Sequence, residues 1–374
     1  MDLSLDIATP DRPRPAAAPR PSRLWVPRRA YVTRAALGHA HGRAMAERAA
    51  SFGAEVIELK GDRLVGLPKA ADPRRAYADA KATLAITVAS PAKRRLQPIP
   101  PSADWRFDLA EGCPAHCQYC YLAGSLSGPP IVRAYGNLEE ILAGLDSGLG
   151  QGAVTSRNAD RAGEGTTFES SCYTDPLGIE HVTGSLAEAI RFFGSWDAPV
   201  QLRWTTKYDA VDPLLALPHA GRTRVRFSVN AEPVARKLEG GVAPLPSRLA
   251  AMGRTARAGY PVGLTIAPIM PVEGWREAYG ALLDDAAAAL AGTPGLDLTA
   301  ELITHRFTPG SKEVLTGWYP GSSLEMDEAA RSRKLTKFGS VKYVYPKDAM
   351  RELRDWFERA LADRLPAARM LYWT

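Results

Sequence analysis

The sequence predicts an α/β fold: a partial (β/α)6 barrel preceded by a small N-terminal α/β unit and carrying a C-terminal β-hairpin. Three observations predict it. From residue 104 onward, short apolar runs alternate with helical stretches, the pattern of parallel strands joined by crossover helices. The residues that bear chemistry (Cys113, Cys172, Lys207 and Ser228–Asn230) stand at or just past the ends of those runs, where such sheets place their sites. Six strand–helix repeats are too few to close an eight-stranded barrel, so one side stays open.

Residues 1–22 carry five prolines and three arginines among alanines, a composition that buries no core and predicts a disordered tail. Residues 23–100 read as the N-terminal unit. Leu24–Val32 and Ala54–Leu59 are strands flanking an amphipathic helix over Arg34–Ser51. A helix over Pro73–Lys81 then leads into the apolar strand Ala82–Val88. Pro91, Pro98, Pro100 and Pro101 mark the connector into the larger unit, residues 101–374. There the candidate strands are 105–110, 166–171, 201–206, 224–229, 262–268 and 298–304. Helical stretches lie near 137–146, 184–194, 209–217, 245–258 and 274–291, the last rich in alanine, a strong helix former. An amphipathic helix over Lys347–Leu361 closes the domain.

At 374 residues and 45% hydrophobic content, the chain is long enough for one large or two modest domains. No run approaches the roughly 18 apolar residues of a membrane span, and the N-terminus has no signal-peptide core. A net charge of +6 and a pI near 9.1 are compatible with a polyanionic partner without demanding one.

Three of the four cysteines fall in one loop, Cys113, Cys117 and Cys120, at C-x3-C-x2-C spacing; the fourth is Cys172. Crowding argues against a disulfide framework. Three thiolates in a tight loop suit a [4Fe–4S] cluster with one iron left open, because cluster irons are normally each held by a thiolate. Structural zinc is the competing reading, with His116 as fourth ligand, but adjacency to Cys117 makes joint ligation of one ion awkward. Unligated thiols are a third. Free thiols and an oxygen-sensitive cluster both suit a reducing cytoplasm.

The cysteine loop, with an aromatic residue before its last cysteine, resembles the signature of the radical S-adenosylmethionine (AdoMet) superfamily. Within that superfamily the chain is similar to the spore photoproduct lyase family. The matching stretches are CPAHCQYCYL at 113–122, SSCYTDPLGIEH at 170–181, WTTKYDAVDPLL at 204–215, RFSVNAE at 226–232, ELITHRFT at 301–308 and FGSVKYVYP at 338–346. Similarity runs from about residue 24 to the C-terminus. The resemblance implies a TIM-like partial barrel of the radical SAM type and a [4Fe–4S] cluster on Cys113, Cys117 and Cys120, with AdoMet on the open iron. It implies repair of the spore photoproduct, a thymine dimer in double-stranded DNA joined through a methyl carbon, by a 5′-deoxyadenosyl radical. Cys172 matches the hydrogen-atom donor of the family, and Tyr119 with Tyr121 the pair that relays hydrogen back. Thr174, Lys207, Ser228 and Asn230 match positions that contact AdoMet or substrate. An electron donor such as a flavodoxin or ferredoxin is implied as well.

Near the C-terminus, Arg331, Arg333, Lys334, Lys337 and Lys342 flank Phe338-Gly339-Ser340 and Tyr343. A glycine-bearing turn between such arms reads as a β-hairpin. Basic arms with an aromatic tip suit phosphate contact and insertion beside a damaged, easily unstacked base step. The family often carries Arg where Lys337 stands, so a point charge replaces a bidentate fork there. The rival reading of the hairpin is a solvated basic edge that blunts aggregation. Two rivals for function are a related radical SAM enzyme with another substrate and a zinc-stabilised nucleic-acid-binding module.

Overall fold

The structure, a computed structural model, describes residues 24–67, 71–125, 130–155, 158–335 and 339–374. The tail predicted over 1–22 and the hairpin residues Lys337 and Phe338 lie outside the described residues.

The larger sheet has eight strands, in the order Gln97–Ile99, Ala103–Phe107, Thr166–Ser170, Val200–Thr206, Thr223–Val229, Val262–Ile269, Leu298–Thr304 and Ala368–Trp373. Every neighbouring pair is parallel except the first, and the sheet curls into a half-barrel. Spatial order follows chain order across the sheet. The six predicted strands are all present. A seventh parallel strand, Ala368–Trp373, extends the sheet beyond them, pairing Leu298 with Ala368.

Side chains alternate across these strands with period two. Leu202 and Trp204, Val225 and Phe227, Leu264 and Ile266, and Leu298, Ala300 and Leu302 face outward into one apolar core against the helices. The opposite face carries Glu169, Arg203, Arg226, Ser228, Thr265 and Glu301, all under 9% exposed. A parallel sheet buried on both faces is usually apolar on both; here the barrel interior is charged, so the opposed residues must pair with one another.

The N-terminal sheet begins as predicted, with Arg29–Val32 parallel to Glu55–Glu58 and to Thr83–Thr87. It is completed from beyond residue 100: Val132–Tyr135 adds parallel to Thr83–Thr87, and Ala110–Glu111 pairs antiparallel to that strand. The two units therefore share chain on both sides of the cysteine loop. The helix predicted over 34–51 is two, Arg34–Gly38 and Ala40–Ser51, broken at an extended His39. The second helix crosses so close to the first that a Cβ at Gly42 would lie 2.1 Å from the Ala36 carbonyl oxygen. The helix predicted near 209–217 is a single turn, Asp212–Leu214, with Pro213 inside it and Pro218 barring a longer helix beyond. Helix Pro309–Trp318 was not anticipated, although Thr308 caps it, Pro309 opens it and Ser311 closes a capping box. No helix among the described residues is long and apolar enough to cross a membrane.

Candidate active site

The cysteine loop is gripped from both sides. From the N-terminal unit, helix Pro73–Lys81 places Lys81 Nζ to donate to the carbonyls of Cys113 (2.5 Å) and Ala115 (2.7 Å). Tyr77 hydrogen-bonds His116 Nδ1 at 3.0 Å and also the hydroxyl of Tyr319. From the barrel, the short strand Glu239–Gly240 pairs antiparallel with His116–Cys117, opposing Glu239 to Cys117. The Gln118 N–H adds a bond to the Leu238 carbonyl at 2.8 Å. At the start of the loop, Gly112 has φ +76°.

One cavity of about 470 Å³ opens beside this loop, at the C-terminal ends of the barrel strands. Cys113, Cys117 and Cys120 line one part of it; Cys172, Ser170 and Thr174 line another; Lys207, Ser228, Tyr119 and Tyr121 line the rest. All four cysteines are free. Burial pushes the Cys113 thiol up to about 11, against the pull of Lys81, and burial also raises Cys117.

Cys172 owes its position to Ser171, a non-glycine residue at φ +58°, in the left-handed region. Two bonds hold that conformation: the Ser171 N–H donates to Phe107 O (2.8 Å), and its Oγ accepts from the Leu109 N–H (3.1 Å). Burial, then the nearby Glu169 and Asp108 carboxylates, raise the Cys172 thiol well above its ordinary range, so it stays protonated near neutral pH. On either side of it, Ser170 Oγ and Thr174 Oγ1 are buried hydroxyls with no hydrogen-bond partner. Such orphans on a cavity wall are open to a ligand's polar groups.

Lys207 stands at the wall between the cysteine loop and the strand ends. Its three N–H groups donate to Ser228 Oγ (2.8 Å), Glu239 Oε1 (3.0 Å) and the Ala267 carbonyl (3.3 Å). Its backbone N–H donates to Asp175 Oδ2 (2.7 Å), which ties the 171–178 loop to strand Val200–Thr206. Burial raises the Asp175 carboxyl to about 6 despite these bonds. Glu180 caps helix Ser185–Ser195 by accepting from the Leu186 and Ala187 N–H groups.

The two tyrosines part company. Tyr121 is 37% exposed, with the Arg306 guanidinium 5.3 Å above its ring. Tyr119 is buried and donates its hydroxyl to Glu239. Sequence reasoning missed Glu239, because nothing near position 239 signals a carboxylate that meets the cysteine loop. Burial pushes that carboxyl up, yet Lys207 and Arg248 hold it at about 2. Missed too is the charged cavity floor, where Arg226 and Arg203 meet Glu169 and Glu301.

Two predicted site residues are engaged elsewhere. Asn230 is not among the residues that line the cavity. Its amide donates to the Pro268 carbonyl (2.7 Å) and its Oδ1 accepts from Tyr279 (2.8 Å) and from the Ala231 N–H (2.9 Å), so it ties strand ends together. Arg331 is not a free surface cation: it is 8% exposed, pairs with Glu325, donates to the His305 carbonyl at 3.2 Å and lies 3.8 Å over the Tyr345 ring. The hairpin itself is present, Ser332–Leu335 against Val341–Val344, with Arg333 opposite Tyr343 and Lys334 opposite Lys342. Tyr343 stacks on Phe307 at 5.2 Å and pairs with its backbone, which anchors the hairpin next to Arg306 on the cavity wall.

The chain matches the family model described as spore photoproduct lyase over residues 25–374. It is 38% identical to spore photoproduct lyase of Bacillus subtilis (strain 168) over 350 residues, 94% of this chain and 99% of that protein. A second relative, spore photoproduct lyase of Geobacillus sp. (strain Y412MC61), is 38% identical over 351 residues, with the same coverage of both chains. Among solved structures it is similar to a spore photoproduct lyase mutant with bound AdoMet and dinucleoside spore photoproduct, with TM-score 0.86, 36% identity, and coverage of 94% of this chain and 100% of that one. A spore photoproduct lyase complexed with dinucleoside spore photoproduct matches equally, with TM-score 0.86 and 37% identity. Fold and sequence agree along nearly the whole length, and the chain belongs to the spore photoproduct lyase family.

Proposed function

We propose that this protein is an AdoMet-dependent lyase that reverses the spore photoproduct in damaged DNA to two thymines by a radical route. One observation carries the reading: the three cysteines of the loop and Cys172 line the same cavity, with unpartnered hydroxyls on either side of Cys172. The relatives that bind AdoMet and the dinucleoside lesion match this chain across 94% of its length.

The donor set fits a [4Fe–4S] cluster. Cys113, Cys117 and Cys120 would hold it, and the positive irons would offset the burial that raises the Cys113 and Cys117 thiols. When bound, such a cluster supplies the electron that cleaves AdoMet to a 5′-deoxyadenosyl radical.

The chain's own residues do the rest. Lys207 presents an ammonium whose weakest bond, to the Ala267 carbonyl at 3.3 Å, is the one a ligand carboxylate would replace. The Ser170 and Thr174 hydroxyls would take up polar groups of AdoMet or lesion. Cys172 keeps its S–H hydrogen because its thiol is held protonated, so it can transfer a hydrogen atom to the thymine carbon radical left when the bridge breaks. The thiyl left behind takes a hydrogen atom from the tyrosine pair, with Tyr121 the more accessible of the two, and the resulting tyrosyl radical takes one in turn from 5′-deoxyadenosine, so the hydrogen is relayed back. Arg333, Lys334 and Lys342 on the hairpin arms would meet DNA phosphates. A flavodoxin- or ferredoxin-type carrier in a reducing cytoplasm would supply the electron.

The test uses anaerobically reconstituted protein, dithionite, AdoMet and a synthetic dinucleoside lesion, with products read by mass. The wild type should release two thymidines. Cys172→Ala should still cleave AdoMet but give aberrant products, and clean thymine repair by that variant would remove Cys172 from the donor role.

A further inference from the structure

Glu239 sits behind the cavity wall, against the lining residues Cys117, Tyr119 and Lys207, and no part of the proposed reaction yet uses it. Its backbone is the ladder partner of Cys117. One carboxylate oxygen accepts from Lys207 Nζ at 3.0 Å and from the Tyr119 hydroxyl; the other accepts from Arg248 Nη2 at 2.5 Å. The carboxylate side chain is fully buried, as is nearly all of Arg248. Arg248 is itself held by the Ser228 and Ala243 carbonyls, each at 2.9 Å, so it cannot swing away.

We propose that Glu239 is a positioning residue for AdoMet: it seats the Lys207 ammonium at the cavity wall and supplies the buried negative charge that balances two cations beside the cysteine loop. This rests on the AdoMet-dependent reading above. Two physical arguments support it. An ammonium on a flexible four-carbon stem has no preferred place unless a fixed acceptor holds it. Glu239 is such an acceptor, because strand pairing with Cys117 fixes its backbone. Second, the charges of Lys207, Arg248 and Glu239 sum to +1, and removing the carboxylate leaves +2 next to the metal-binding sulfurs. Added positive charge favours the reduced state of a nearby centre.

Glu239→Gln keeps the shape and removes the charge. In reconstituted holoenzyme its KM for AdoMet should rise roughly tenfold, the scale of a lost hydrogen bond to a charged group, with a smaller change in kcat. The midpoint potential of the metal centre, followed by EPR-monitored titration, should shift upward. The KM effect should not add to that of Lys207→Met, since both act on the same ammonium. Full iron content with wild-type KM and potential would overturn the proposal, and so would additive effects. If Glu239→Gln loses iron, Glu239→Gln/Arg248→Met restores the charge balance; iron still missing in that double variant would mark Glu239 as a structural anchor and also overturn the proposal. Failure of the wild type to cleave AdoMet would instead strike the reading of function on which this rests.

Discussion

Glu301→Leu tests the charged floor of the cavity. Glu301 is fully buried in the barrel interior and pairs with Arg203 and with Arg226 Nη1 (2.9 Å). It also accepts from Tyr372 Oη at 3.1 Å and from Thr265 Oγ1 at 3.3 Å. The two arginines are 0% and 2% exposed, so neither turns to water when the carboxylate goes. Glu169 stays with Arg226, while Arg203 keeps only Glu164 at 3.8 Å, itself shared with Arg161 and Arg369. Removing one partner of a buried pair costs about 3–5 kcal/mol, because a charge is left uncompensated. That is a large share of the 5–15 kcal/mol typical of a folded domain. In Glu301→Leu/Arg203→Leu the charge returns to balance, and most of the loss should be recovered, since apolar replacement of a whole buried pair is often neutral. Urea unfolding followed by tryptophan fluorescence measures both variants, with m-values checked for constancy. A single variant that loses less than about 1 kcal/mol, or a double variant that loses the sum of its parts, would refute the view that the floor is held by mutual charge compensation.

Gly112→Ala should disable the cysteine loop, since a Cβ there lies 2.0 Å from the Ile131 carbonyl oxygen at φ +76°. Iron content after reconstitution should fall sharply, and a fully loaded variant would contradict this. Tyr77→Phe removes the hydroxyl shared by His116 and Tyr319; leaving these half-buried partners unsatisfied costs about 1 kcal/mol, and protease sensitivity should rise within 113–120. For Glu239, burial raises the carboxyl but Lys207 and Arg248 hold it at about 2, below its ordinary 4.5. With a depressed folded-state value, its stabilising effect is fully present above pH 4.5 and is lost as pH falls toward 2. The slope of stability against pH between those limits should therefore be shallower in Glu239→Gln, measured by urea midpoints at each pH.

Local signals in the sequence were enough to place the six barrel strands, the cysteine loop, Cys172 past a strand end and the two hairpin arms. Apolar periodicity reports burial residue by residue, and cysteine spacing reports a shared centre without help from the fold. What local signals do not carry is partnership across the chain. Ala368–Trp373 becomes the seventh parallel strand only because Leu298–Thr304 offers it an open edge. Arg331 reads as one more basic residue of the hairpin until Glu325 and Tyr345 enclose it, and Asn230 as a site polar group until Pro268 and Tyr279 take up its amide. Glu239 meets Tyr119 across 120 residues of chain.

By itself, then, the sequence determined the architecture and which side chains bear chemistry, since these follow from short-range patterns of burial and spacing. The tertiary structure alone decided which charges are neutralised and which remain to meet a ligand. A buried charge is stabilised by whatever lies against it in space, and strands far apart in sequence supply those neighbours.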